Sequence, residues 1–61
     1  MFHEKYVESG IEMESFSEIE TIDQLREVIS TISGDMPVSD GLGDPLKLTI
    51  VRAQPTYVEI Q

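Results

Sequence analysis

The sequence predicts an α+β fold in which one amphipathic helix packs on a small antiparallel sheet, in the order β-α-β-β-β. Three observations predict it: a period-two alternation near the N-terminus, a capped apolar stripe of helical spacing in the middle, and two β-branched runs at the C-terminus. At 61 residues, with no internal repeat, linker or low-complexity tract, the chain reads as a single domain over 1–61.

The first strand is expected over about residues 5–16. Ile11-Glu12-Met13-Glu14 alternates apolar and acidic side chains, as a strand does with one face packed and one in water. Gly10 is a weak point or bend in that strand, and the alternation slips at Ser15-Phe16, where a bulge or an end is expected.

The helix follows. Ile22, Leu25, Ile29 and Ile32 recur at i, i+3, i+7 and i+10, with Val28 beside them, which is one stripe of an α-helix. Thr21 fits the N-cap and Gln24 completes a Thr-x-x-Gln capping box, while Asp23 lies in the first turn, where the helix dipole favours an anion. At the far end Gly34 suits a left-handed position just past the last turn, and Pro37 stands beyond it.

Met36-Pro37-Val38 is expected to be a short extended segment, and Asp40-Gly41-Leu42-Gly43-Asp44-Pro45 has the composition of a turn. Residues 46–52 and 57–60 then form an antiparallel hairpin. Val51, Val58 and Ile60 make these strands apolar on more than one face. A sheet that continues into another subunit explains that pattern, so Ile50, Val51, Tyr57, Val58 and Ile60 are the expected surface of a homo-oligomer.

Size points the same way. A domain this small buries only about 60% of the surface of its unfolded chain and is usually reinforced by disulfides, a metal or association. Cysteine is absent and there is one histidine, which leaves association.

Twelve Asp and Glu stand against four Lys and Arg, for a net charge of −8. Residues 1–31 hold eight acidic and two basic side chains, so that half carries −6 of the total. Phosphate binding needs clustered cations, and Lys5, Arg26, Lys47 and Arg52 are scattered singly, which argues against direct nucleic-acid binding. An anionic membrane surface repels such a chain, and no apolar run approaches the roughly 20 residues that cross a bilayer. Met1-Phe2-His3-Glu4-Lys5 lacks the profile of a secretory signal, so residence in the cytoplasm is expected.

No residue pattern specifies an enzyme. His3, the only imidazole, reads as an exposed terminal residue. Glu12 with Glu14, Asp23 with Glu27, and Asp35, Asp40 and Asp44 around the glycine loop lack the spacing of a metal site, and Asp40–Asp44 lacks the ligand alternation of a calcium loop. Gly41-x-Gly43 leads into a strand and not a helix, which makes it a turn and not a phosphate loop. No cofactor is implied.

The acidic stretch is the most suggestive feature. Glu8, Glu12, Glu14, Glu18, Glu20, Asp23 and Glu27 are the candidate partner-binding residues. Alternate residues on a strand lie about 6.7 Å apart, near the separation of successive phosphates, so an acidic strand face can imitate DNA to a basic groove.

Thr21-Ile22-x-x-Leu25, Ile29, Gly34-Asp35-Met36-Pro37-Val38 and Tyr57-Val58-Glu59-Ile60 resemble a class of short phage and prophage open reading frames, over about two thirds of the chain. The shared pattern is one of fold and carries over no catalytic residue. What the resemblance implies is a mobile-element setting, in the cytoplasm of a bacterial host, where acidic proteins of this size include inhibitors of host defence such as anti-CRISPR proteins. Some of those are strand-rich oligomers similar to a single-strand-binding fold, and one type acts on DNA topology. This chain departs from that fold in placing its helix before most of its strands and in lacking a basic face. Sequestration of cyclic nucleotides, another phage strategy, has no aromatic and arginine cluster to support it here. The expected function is inhibition of a host defence effector, such as a nucleic-acid enzyme, through the acidic face. A metal-dependent nicking or topology-altering activity and a structural interaction module are the alternatives.

Overall fold

Ser9 and Gly10 both adopt positive φ, 53° and 77°, the sign a type I′ turn needs at both central residues of a two-residue hairpin loop. The segment expected to be one strand with a bend at Gly10 is therefore two strands. In a computed structural model that describes all of residues 1–61, β1 (Phe2–Glu8) and β2 (Ile11–Ser17) pair antiparallel from Glu8↔Ile11 to Phe2↔Ser17.

Glu18, at φ 55°, turns the chain out of β2 towards α1 (Ile22–Ile29). The helix starts where the caps place it. Gln24 N donates to Thr21 Oγ1 at 3.2 Å, and Gln24 Oε1 accepts from the backbone N–H groups of Thr21 and Glu20, at 3.3 and 2.7 Å.

It ends earlier than the apolar stripe suggests. Ser30 Oγ donates to Glu27 O and Thr31 Oγ1 to Val28 O, while Thr31 and Ile32 N–H groups reach back only three residues, to Val28 O and Ile29 O. These local bonds tighten the last turn and stop propagation, so Ile32 lies outside the helix. Ser30, in the right-handed region, is the C-cap, and Gly34 is not a left-handed cap: the only glycines at positive φ are Gly10 and Gly43.

Met36-Pro37-Val38 forms no strand. Pro37 has no N–H to give a ladder, and no neighbouring strand pairs with the segment. The turn at 40–44 is as expected: Asp40 Oδ1 accepts from Leu42 N and Asp44 N at 2.8 and 3.0 Å, and Gly43 sits at φ 83°.

β3 (Leu48–Val51) and β4 (Tyr57–Ile60) then form the predicted C-terminal hairpin, with Ile50 opposite Val58, and Lys47 and Gln61 exchange one further pair of backbone bonds. The fold is α+β, but its order is β-β-α-β-β, and the strands make two separate two-stranded sheets in place of one. Strand pairing is a long-range choice that local alternation does not encode.

The helix lies between the two hairpins, and the only extensive contacts between elements are those within each hairpin. The result is an elongated body of 44 × 24 × 20 Å. Its radius of gyration is 13.6 Å, against about 10.5 Å for a compact chain of this length. Val28, at 8% exposure, is the one buried residue. No helix is long and apolar enough to cross a membrane.

Candidate functional site

Strand register sorts the acidic residues, because side chains alternate between the faces of a sheet. One face of the N-terminal hairpin carries Glu12 and Glu14 with His3, Lys5, Val7 and Phe16. The reverse face carries Glu4 and Glu8 among Phe2, Tyr6, Ile11 and Met13, with the Tyr6 hydroxyl 3.1 Å from Ser15 Oγ. Glu8 thus lies on the opposite side from Glu12 and Glu14, and the three do not form one acidic face.

The first face is organised by His3. Its ring stacks on Phe16, with centroids 4.4 Å apart and planes 5° from parallel, and its Nε2 lies 2.7 Å from Glu14 Oε2. Lys5 Nζ approaches the same oxygen at 3.8 Å. The hydrogen bond from His3, followed by the charges of His3 and Lys5, holds the Glu14 carboxyl below the usual carboxylate range. His3 is exposed, as the sequence suggests, and is also a member of the strand ladder.

The helix borders this face. Met1, His3, Glu14, Phe16, Glu27 and Val28 border a shallow depression, which brings Glu27 of α1 to the same side as Glu14. Asp23 is tied to Arg26 at 2.6 Å. Glu18 and Glu20 lie in the connection between β2 and α1, Glu20 at the rim of a second cleft on the other side of the helix. Of the seven candidate residues, Glu14 and Asp23 are ion-paired, and Glu8, Glu12, Glu18, Glu20 and Glu27 are exposed with no cationic neighbour within 4 Å.

That second cleft, of about 490 Å³, separates α1 from the C-terminal sheet. Ile19, Ile22 and Leu25 form one wall, and Tyr57, Val58 and Ile60 the other. The register places Leu48, Ile50, Val58 and Ile60 on one face of the β3–β4 sheet, and Val51 and Tyr57 on the other. The five residues expected to form a self-association surface thus divide three and two. Leu48, which sequence reasoning passed over, completes the aliphatic face; the signal for it was its place two residues before Ile50 in the alternating run.

The His3–Glu14 pair has the form of an oriented imidazole, but the nearby hydroxyl of Thr31 at the depression's edge is donated to Val28 O at 2.9 Å. No hydroxyl is hydrogen-bonded to the His3 ring. Asp35 accepts from the Ser33 hydroxyl, which lowers its pKa, and Asp40 is engaged in its own turn. Nowhere do three His, Asp or Glu side chains gather as a metal-binding group. The arrangement can present charge and apolar surface to another macromolecule.

Comparison with protein-family models, curated proteins and solved structures finds no match.

Proposed function

We propose that the chain is a binding protein that acts without turnover, an acidic accessory factor whose N-terminal hairpin and helix occupy a basic site on a partner protein. The observation that carries the reading is the placing of Glu14 and Glu27 on one side of the molecule, with Glu12 further along the same strand face. Glu12 and Glu27 have no cation within 4 Å and keep their field, while Glu14, shared with His3 and Lys5, contributes less; a basic cleft of low dielectric focuses attraction to such a face.

The resemblance of residues 21–61 to short phage reading frames supports a particular partner class: a host defence effector with a nucleic-acid groove, blocked in the manner of an anti-CRISPR protein. Metal-dependent nicking has no gathered ligand set in its favour.

The test is retention of the purified chain on an immobilised RNA-guided nuclease at moderate salt, with inhibition of target cleavage in parallel. Replacing Glu12, Glu14 and Glu27 together by Lys is expected to abolish both. Unchanged retention contradicts the reading. So does Mg²⁺-dependent nicking of supercoiled plasmid that disappears when a single carboxylate is replaced, since turnover and not occupancy would then be the activity.

A further inference from the structure

The C-terminal half presents an apolar surface that nothing in the chain covers. Leu48 and Ile50 are 56% and 51% exposed, Ile60 is 42% exposed, and Val58 is half-buried. All four lie on one sheet face, and this face runs into the open cleft against Ile22 and Leu25 of the helix. The amphipathic helix and the sheet each bring an apolar side to this cleft and leave it unfilled.

The missing area can be measured. A compact monomer of this mass exposes about 4,000 Å². The chain exposes 5623 Å². The surplus, about 1,600 Å², is spread over the whole elongated body, and leaves room for the roughly 800 Å² that each partner buries in a standard stable interface. A two-stranded hairpin is at best marginally stable until its apolar face is packed. Packing this face against another apolar surface would supply the burial that the hairpin lacks.

Charge decides what can cover it. A chain of net charge −8 repels its own copies wherever the acidic residues face one another. From Leu46 to Gln61 the only charged residues are Lys47, Arg52 and Glu59, a local balance of +1. Here two copies can meet with Glu20 at the rim as the one carboxylate bordering the cleft, and with Glu59 on the reverse face of the sheet.

We infer that a second copy of this chain fills the cleft, in a two-fold dimer that packs Leu48, Ile50, Val58 and Ile60 of each subunit against the same face and against Ile22 and Leu25 of the other. The contact is isologous, so each residue is used on both sides and the assembly closes at two subunits. The core that one chain lacks is built from two. The inference stands apart from the proposed function, since it concerns the opposite surface.

Sedimentation velocity over a concentration series tests it. The native chain is expected to be a dimer from micromolar concentration upward, and Ile50→Lys to weaken dimerisation by more than about tenfold, as loss of a central apolar anchor does. Val7→Lys, at a position 68% exposed on the N-terminal hairpin, is expected to leave the dimer intact.

A monomer that unfolds cooperatively at every concentration overturns the inference. So does a dimer disrupted by Val7→Lys and not by Ile50→Lys, which would move the interface to the other hairpin.

Because Ile50→Lys can prevent folding, a second measurement uses the absence of native cysteine. Leu48→Cys mixed with Ile22→Cys is expected to form a disulfide-linked heterodimer under mild oxidation at least about tenfold faster than Val7→Cys mixed with Ile22→Cys, since the dimer sets Leu48 of one subunit against Ile22 of the other. Equal rates contradict the shared face.

Discussion

The two hairpins of this chain solve the same problem in different ways. The N-terminal one has seven-residue strands, a two-residue turn and both kinds of side chain on each face. Its cross-strand contacts are its own: His3 stacks on Phe16, Glu14 takes His3 and Lys5, and Tyr6 meets Ser15. The C-terminal one has four-residue strands joined by a longer loop, and one purely aliphatic face. It has few polar pairs of its own and depends on what packs against that face. One hairpin is held by local pairs, and the other has an aliphatic face that is still largely exposed. The acidic surface therefore sits on the locally specified part, and the purely aliphatic face on the part with few cross-strand pairs of its own.

The largest separation between the two comes from the turn. Gly10 holds φ 77°, and a side chain there would meet no atom within 4 Å, so the effect of substitution is conformational alone. Gly10→Val is expected to cost the N-terminal hairpin about 1–2 kcal/mol, the left-handed penalty of an L-residue. Hydrogen exchange should show faster exchange at the N–H groups of β1 and β2, with those of β3 and β4 unchanged. Equal acceleration in both hairpins would show that they fold as one unit and break the comparison.

Thr21→Ala is the next in size. It removes the acceptor for Gln24 N and should cost about 1 kcal/mol. Both hairpins are expected to feel it, because α1 borders each of their clefts. Thermal unfolding monitored by far-ultraviolet circular dichroism reads the loss.

Salt distinguishes the two surfaces more gently. Raising ionic strength from about 0.1 M to about 1 M shortens the screening length from roughly 10 Å to 3 Å. Retention on a basic partner should fall steeply, whereas the dimer, which joins apolar faces, should hold or tighten. Isothermal titration at the two salt concentrations measures the first and light scattering the second.

The smallest effect belongs to Glu14. Its carboxyl is held below the usual range in the folded chain, so its hydrogen bond to His3 contributes fully above the pKa of the unfolded chain and is lost as pH falls through the folded value. The side chain is solvent-exposed, and the contribution is correspondingly small. Glu14→Gln should flatten the acid limb of the stability profile slightly, as followed by denaturant titration at a series of acidic pH values.

The start of the helix was legible in the sequence because Thr21 and Gln24 satisfy each other within four residues. The C-terminal hairpin was legible because two β-branched runs flank a short segment, Ala53-Gln54-Pro55-Thr56, whose proline marks the break between strands. The N-terminal hairpin was not. Ser9 in a left-handed conformation is uncommon for a residue with a side chain, and Ser-Gly is a weaker turn signal than Asn-Gly. With that turn missed, the register was missed too, and with it the pairing of His3 with Phe16 and the placing of Glu8 on the reverse face.

The helix end was misread for a different reason. Ile32 keeps the apolar period, but Ser30 and Thr31 bond their hydroxyls to the last carbonyls and end the helix first. The acidic residues could be named from the sequence, yet which of them face together could not, since that depends on strand register and on how α1 crosses the hairpin.

The division into an acidic partner surface and an apolar self-association surface is tested most directly by isotope-filtered nuclear Overhauser measurements on a mixture of labelled and unlabelled chains. The account predicts intermolecular contacts from the methyl groups of Leu48 and Ile50 to those of Ile22 and Leu25, and none from Val7. Intermolecular contacts confined to Val7 and Ile11, or none at concentrations where the chain is folded, would contradict it.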